Sequence, residues 1–478
     1  MSNSKITNIF TKIFLAIYIM FSIGIYLASI KYNHSVKFLM LYLVELLVFI
    51  AFIRFKDFFK NILKQKISKK FLFPLIIIIG VLLRIAIVFI GYQPIPAGGD
   101  YKTFFYNAST FCESNTIASK FYVELFPYLI PYMCILGAFF KLTTISYQSM
   151  VILNVILDLC IPLFLYFTFE NTNVRKATVS LWLFNPINII WCMVCSPIVL
   201  VNFGIALSIL IFSKILKHIN SKIFILYSIL TGIIMGISNT FRPLMPIMLI
   251  AIFLYFIYVI LTSKKFITNY IISFILITVS FFGIKYSSYN IMNKIIDGNV
   301  STTSGWTLFL GSNIETDGMW YSSAETDAIF NKNLSAEEIQ QEFKQLAITR
   351  YKSNGINNIT LFIKKLFVLT GNIAESSFTT LLSTAEINNA TFTKVLRLLI
   401  HLYIDFLVLL NVLNTLLDIK YNKLDKSDLF YMLLYIGIIT AHIFVEVHSR
   451  YYMPAVVPLT IISSLSLYKI LTFKRESW

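Results

Sequence analysis

Apolar runs recur along the whole chain, near 9–30, 37–54, 71–91, 122–141, 150–170, 177–195, 198–216, 223–241, 243–262, 267–285, 395–417, 429–446 and 451–470. Most hold about 18–22 residues, enough to cross a hydrocarbon core of about 30 Å as a helix, and none shows the alternation of a barrel strand. Because backbone N–H and C=O groups cannot be left open in lipid, the pattern predicts an all-α, polytopic transmembrane bundle. The first run lacks a small-residue cleavage site and a second follows at once, so it reads as a span and not as a signal peptide.

Charge orients these runs. Residues 54–70 hold seven Lys/Arg against one Asp, whereas 286–393 hold seven against ten acids. With 214–222, 263–269 and the tail (Lys469, Lys474, Arg475), the basic loops mark the cytoplasmic side and put 92–121 and 286–394 outside. Ser196-Pro197 is also expected outside, yet 122–141, 150–170 and 177–195 lie between it and 92–121, and an odd number of crossings cannot return to the same side. One of the three is therefore expected to be short, re-entrant or interfacial, which leaves about twelve crossings with both termini inside. The expected organisation is two N-terminal spans and a basic cytoplasmic loop (1–70), a transmembrane module (71–285) with an extracytoplasmic loop at 92–126, an extracytoplasmic segment (286–394), and C-terminal spans with a cytoplasmic tail (395–478).

Composition agrees. The 478 residues are 57% hydrophobic and 13% charged, with a mean hydropathy of +0.76, against about 45–50% and about 25% in soluble domains. The net charge of +17 is a positive-inside excess, so no nucleic-acid partner is expected; the bilayer is the partner it implies. Five cysteines, mostly within apolar runs, make no disulfide framework. Cys192-Met-Val-Cys195 has redox spacing without a thioredoxin-like context.

Polar residues that interrupt the outer edge are the candidates for chemistry. In GYQPIPAGGDYKTFFYNASTF, Pro94 and Pro96 hold the chain extended and Gly98-Gly99 allow a sharp turn. Asp100 is then expected at the N-cap of a short juxtamembrane helix with Tyr101, Phe104, Phe105, Ala108 and Phe111 on its face. Capping alone explains an Asp there; two glycines that leave room for a ligand also make it a candidate general base. Glu124 stands just before Pro127, and Arg84 and Lys102 flank the Asp100 loop. Arg242-Pro243 ends a span on the outer side against the charge bias, and Glu446, His448, Arg450 and Tyr451 crowd one turn; both arrangements are costly unless the groups pair with one another or with a ligand. In 301–323, Trp306 and Trp320 beside Asn313, Glu315 and Asp317 suit interface anchoring or sugar stacking. Further on, Ser335-Ala-Glu-Glu338 reads as a capping box opening an amphipathic helix near 335–352 with Ile339, Phe343 and Leu346 on one face.

Taken in order, these pieces resemble the GT-C superfamily of membrane glycosyltransferases, the group of the protein O-mannosyltransferases and aminoarabinose transferases. GGDYKTFFYNA resembles the family's Asp loop and juxtamembrane helix, FPYLIPY the opening of the next span, and FNPINI its later Asn-Pro. FRP, GWTLFLGSN and RYYMP follow at matching places from about 71 to 460. The resemblance implies a polyprenyl-phosphate sugar donor, an acceptor it does not identify, and transfer outside the plasma membrane, bacterial by expectation. It implies Asp100 as catalytic base with Glu124 loosely at a second acidic position, and donor-phosphate binding at Arg450 and Arg242. Arg84, Lys102, Trp306, Asn313, Glu446, His448 and Tyr451 complete the expected donor- and acceptor-binding set. No cofactor is fixed: many members carry a second acid beside the Asp, where this chain has Tyr101, so a divalent metal stays open. A polysaccharide-repeat polymerase and a lipid-linked sugar flippase or transporter remain as alternatives. The last of these directs attention to Arg84 and Asp158 as ionisable groups within spans.

Overall fold

The computed structural model describes residues 3–32, 36–55, 66–90, 99–371, 373, 390–420, 424 and 426–472. All of their regular structure is helical: α1 Asn3–Tyr32, α2 Val36–Arg54, α3 Lys66–Ile90, α4 Gly99–Ser114, α5 Lys120–Leu125, α6 Ile130–Leu142, α7 Tyr147–Thr168, α8 Thr172–Leu183, α9 Pro186–Trp191, α10 Ile198–Lys217, α11 Phe224–Asn239, α12 Met245–Ser263, α13 Ile267–Ile296, α14 Trp306–Gly311, α15 Ala324–Phe330, α16 Ala336–Asn354, α17 Asn357–Gly371, α18 Ala390–Lys420, α19 Lys426–Ile443 and α20 Val456–Thr472. Pro94, Pro96 and Gly98 lie outside the described residues.

The chain is an all-α membrane bundle. Among the described residues, eight helices are long and apolar enough to cross a bilayer, and four apolar helices, at Tyr42–Ala51, Pro127–Leu142, Phe224–Asn239 and Asp428–Ile443, are shorter. Of the three runs from which one crossing had to be removed, Tyr147–Thr168 qualifies as a span, while 177–195 is broken. There α8 stops at Leu183, and Asn185, with its side chain accepting from the Ile187 N–H, caps α9 behind Pro186. Proline has no N–H to continue the ladder and biases the residue before it away from helix, so Asn-Pro resets the chain in mid-run.

Lipid-facing and protein-facing positions separate cleanly. On α3, Leu75, Ile78, Leu82 and Phe89 are exposed apolar side chains that need hydrocarbon around them, while Arg84 faces inward. Small residues let helices approach where packing is closest: on α11, a Cβ on Gly232 would collide with the Ile277 backbone oxygen of α13 and one on Gly236 with the Ile284 side chain, and Ser228 and Ser273 hydrogen-bond across the same interface at 2.7 Å. Such close contact is what lipid-immersed helices use in place of hydrophobic exclusion.

The polar segment after α13 forms a cap with its own small core. Leu125 of α5 joins Phe309, Leu310, Ile329, Ile339 and Phe343 there. The amphipathic helix is α16, opened by the reciprocal capping box of Ser335 and Glu338. Ile339, Phe343 and Ala347 are its buried apolar face, with Leu346 partly buried beside them. The cap docks on the bundle through backbone bonds: Ser301 N–H to Glu124 O at 2.8 Å, Glu446 N–H to Thr307 O at 2.6 Å, and Val447 N–H to Gly318 O at 2.9 Å.

Candidate active site

Gly99 opens α4 with φ at +61°, a left-handed conformation that side-chain-bearing residues rarely adopt. Nothing lies within 4 Å of where its Cβ would be. The helix therefore begins one residue earlier than expected, and Asp100 occupies its first turn, not its cap. With its backbone in the helix, the side chain is available for other partners.

Those partners come from two distant parts of the chain. The Tyr122 hydroxyl, from α5, donates to Asp100 Oδ1 at 3.0 Å. Arg450, in the 3-10 turn Ser449–Ala455, donates from Nη2 to Asp100 Oδ2 at 3.1 Å and from Nη1 to the Tyr101 hydroxyl at 3.2 Å. The pair is open: the Arg450 and Asp100 side chains are 21% and 40% exposed. A carboxylate offers about four lone-pair sites and a guanidinium five N–H donors, so both groups keep capacity for a ligand.

A second layer fixes the arginines. Arg242 lies over the Tyr451 ring at 4.0 Å, and Arg450 is 5.4 Å from the same ring. Cation–π contact holds two like charges near one aromatic ring without neutralising either. The Tyr451 hydroxyl donates to buried Glu446 at 3.1 Å. Burial pushes the Glu446 carboxyl above its ordinary range, opposed by Arg450, Tyr451 and Arg242. His448 accepts from the Arg450 N–H through Nδ1 at 3.2 Å, which requires a neutral ring with its proton on Nε2. Burial, reinforced by the positive charges of Arg450 and Arg242, depresses that ring to about 4, so it stays neutral at physiological pH. Tyr122 is driven the opposite way, held protonated above its usual range by burial and by the Asp100 charge, and so remains a donor to that carboxylate.

Several other expected residues sit elsewhere. Arg84 is fully buried in the bundle, where Nε meets Asp158 at 2.6 Å and the remaining nitrogens reach Gly80, Leu183 and Trp182 carbonyls. The structure does not bring it to Asp100. Glu124 turns its carboxylate toward Gly298. Trp306 packs on Phe309, Phe330 and Phe343 in the core of the cap, leaving exposed Trp320 as the stretch's surface aromatic. Asn313 forms a local turn, accepting from the Glu315 N–H at 2.9 Å. Lys102 is exposed on α4.

The structure adds two residues. Tyr122 is the α5 side chain that reaches Asp100, although Glu124 carried the obvious charge in FYVEL. Lys365, fully buried on α17, donates to Gly311 O at 2.9 Å beneath the cap. Burial lowers its ammonium to about 7, with Glu446 pulling in the opposite direction. Gly305 and Gly311 have a packing reason: a Cβ at either would strike the backbone of Gln340 or of Val445, so the GW-x-L-x-x-G pattern seats the cap against the 446–451 turn.

Among the described residues, no three His, Cys, Asp or Glu side chains gather as metal ligands. All five cysteines are free, and Cys192 and Cys195 are buried.

No family model and no curated protein matches the chain. Among solved structures it is similar to the archaeal oligosaccharyltransferase AglB from Archaeoglobus fulgidus in complex with an inhibitory peptide and a dolichol-phosphate. Identity is 13%, covering 83% of this chain and 50% of that one, with a TM-score of 0.45. It is also similar to the apo form of the Archaeoglobus fulgidus oligosaccharyltransferase, at 13% identity, 84% and 51% coverage and a TM-score of 0.46. The chain spans about half the length of these structures, and a likeness this distant leaves function to the side chains.

Proposed function

We propose that the protein transfers a sugar from a polyprenyl-phosphate donor to an acceptor at the extracytoplasmic face of the membrane, with Asp100 as general base. The observation that carries the reading is the convergence of a carboxylate and two arginines, Asp100, Arg450 and Arg242, among tyrosines at one end of an apolar bundle. Such a site must handle an anion and a proton at the membrane surface. The guanidinium groups suit the donor phosphate, which they can bind in a bidentate manner. In the reaction, the acceptor oxygen gives its proton to a free lone pair of Asp100 and attacks the anomeric carbon as the bond to phosphate oxygen breaks. The polyprenyl phosphate leaves with the electron pair, its charge met by Arg450 and Arg242. No strong general acid is needed for so good a leaving group, and one displacement inverts the anomeric centre.

Charge supports the side. The last turn of α10 carries Lys214 and Lys217, and the loops that follow α10 and α12 carry Lys222, Lys264 and Lys265, the bias expected of the cytoplasmic side.

The test uses the full-length protein in nanodiscs with a panel of radiolabelled undecaprenyl-phosphate hexoses and pentoses. The reading expects consumption of at least one donor by the wild type, abolished in Asp100→Asn while the protein remains folded. Full activity in that variant would remove Asp100 from its role, and consumption of no donor would sink the donor class.

A further inference from the structure

Beside the arginine cluster lies an open groove between the end of α11, the second half of α13, residues 301–304 and the α5–α6 junction. Tyr128 belongs to both places: it lines the groove and lies within electrostatic reach of Tyr451, Arg242, Glu446 and Asp100.

The chemistry of the wall differs from that of the cluster. Asn239, 6% exposed, lines the groove, and its Oδ1 is buried with no hydrogen-bond partner among the described residues. A buried, unsatisfied carbonyl costs about 1–3 kcal/mol, so its presence in a groove wall points to a ligand donor. Five neighbouring hydroxyls have given their protons away. Thr240 donates to Ile237 O at 2.6 Å and Ser288 to Lys285 O at 2.6 Å. Ser301, Thr302 and Thr303 donate to Glu337. Burial would raise the Glu337 carboxyl, but these hydrogen bonds prevail and hold it down to about 2, permanently ionised. Asn239 Oδ1 and these hydroxyl oxygens keep lone pairs, beside the aromatic rings and hydroxyls of Tyr128 and Tyr289, the Ser304 hydroxyl, and Lys285 as the single charge among the lining residues.

We infer that this groove binds a neutral sugar ring. A polyol brings many O–H donors to a wall of acceptors and an apolar C–H face to the tyrosine rings. A phosphate or carboxylate, which brings only acceptors, cannot satisfy the Asn239 oxygen. The two neighbouring sites thus divide one substrate chemistry, with phosphate at Arg242 and Arg450 and sugar in the groove. The inference rests on the sugar-transfer reading for its setting, but its readout is binding, not turnover.

Saturation-transfer NMR on the full-length protein in nanodiscs tests it, with methyl glycosides of glucose, mannose, galactose and arabinose as probes. At least one glycoside is expected to bind the wild type and Asp100→Asn alike. Asn239→Leu, which removes the orphaned acceptor at nearly constant volume, is expected to weaken that binding by about tenfold or more and to leave the melting temperature unchanged or higher. Ser288→Phe, which fills the groove, is expected to abolish it. Displacement of the glycoside by undecaprenyl-phosphate glucose, but not by undecaprenyl phosphate, identifies the donor's sugar as occupant; retention against both identifies the acceptor's. Binding of no glycoside to the wild type, undiminished binding in both variants, or displacement by undecaprenyl phosphate alone overturns the inference. Loss of turnover in Asp100→Asn with binding retained separates it from the fate of the catalytic proposal.

Discussion

Two aspartate–arginine pairs stand among the described residues, and they are built in opposite ways. Arg84 and Asp158, 0% and 3% exposed as side chains, are closed: the guanidinium bonds a carboxylate and backbone carbonyls, while the second Asp158 oxygen accepts from the Trp182 indole at 3.2 Å. Arg450 and Asp100 are joined at one edge only, half open to the surface and surrounded by tyrosines. The same two side chains lock α3 to α7 in one place and present unused donors and acceptors in the other. Spare hydrogen-bonding capacity, more than charge or burial, separates a site from a rivet.

The largest effect on activity is expected at the open pair. Asp100→Asn keeps the Tyr122 contact in shape but removes the base, and should lower transfer about 10²–10⁴-fold, with little change in melting temperature because both partners remain near water. The closed pair should behave in reverse. Asp158→Asn leaves a buried guanidinium uncompensated and is expected to cost about 3–5 kcal/mol, read as loss of folded protein after detergent extraction. The double change Arg84→Met with Asp158→Leu should recover most of that stability, since well-packed apolar groups can replace a buried ion pair. Greater damage from the double change than from Asp158→Asn would show that Arg84 acts beyond the bundle core. Arg450→Lys is a smaller step: it keeps the charge but cannot reach Asp100 and Tyr101 in the same fork. Its expected signature is a rise of about tenfold in KM for the lipid donor, measured in the nanodisc assay.

The bundle was legible in the sequence because lipid imposes a simple rule, and runs such as 198–216 appear as the helices hydropathy outlines. The parity of loop sides pointed to one irregular run among three without choosing it, and Asn185-Pro186 is where 177–195 breaks. The candidate cluster was legible where polar groups stood against an apolar or charge-biased background, as with Arg242 and Arg450, which meet at the Tyr451 ring. It failed where geometry alone decides. Tyr122 and Glu124 share a helix of six residues, and only the turn of that helix selects which meets Asp100. Trp306 read as an exposed stacking residue because its partners Phe330 and Phe343 come from helices folded back onto it. Arg84 looked like a candidate near the Asp100 loop because its partner, Asp158, belongs to a later helix.

Lys365 sharpens the contrast in the subtlest way, because among the described residues it is a buried cation with no carboxylate in hydrogen-bond contact, bonded to the Gly311 carbonyl. Burial lowers its ammonium from about 10.5 to about 7. Below pH 7 both folded and unfolded chains carry the proton, and the full penalty of burying the charge is present. Between pH 7 and about 10.5 the unfolded chain binds the proton and the folded one does not, so this residue makes stability rise with pH across that window. Above it both are neutral and the penalty is gone. The melting temperature of the wild type should accordingly gain a positive slope from pH 7 to 10 that Lys365→Met lacks, while Lys364→Met, altering the neighbouring exposed ion pair with Asp317, should leave the slope in place. An unchanged slope in Lys365→Met would mean that the ammonium keeps a partner or water, and that the seat of the cap beneath Gly311 is open in the manner of Asp100, not closed in the manner of Asp158.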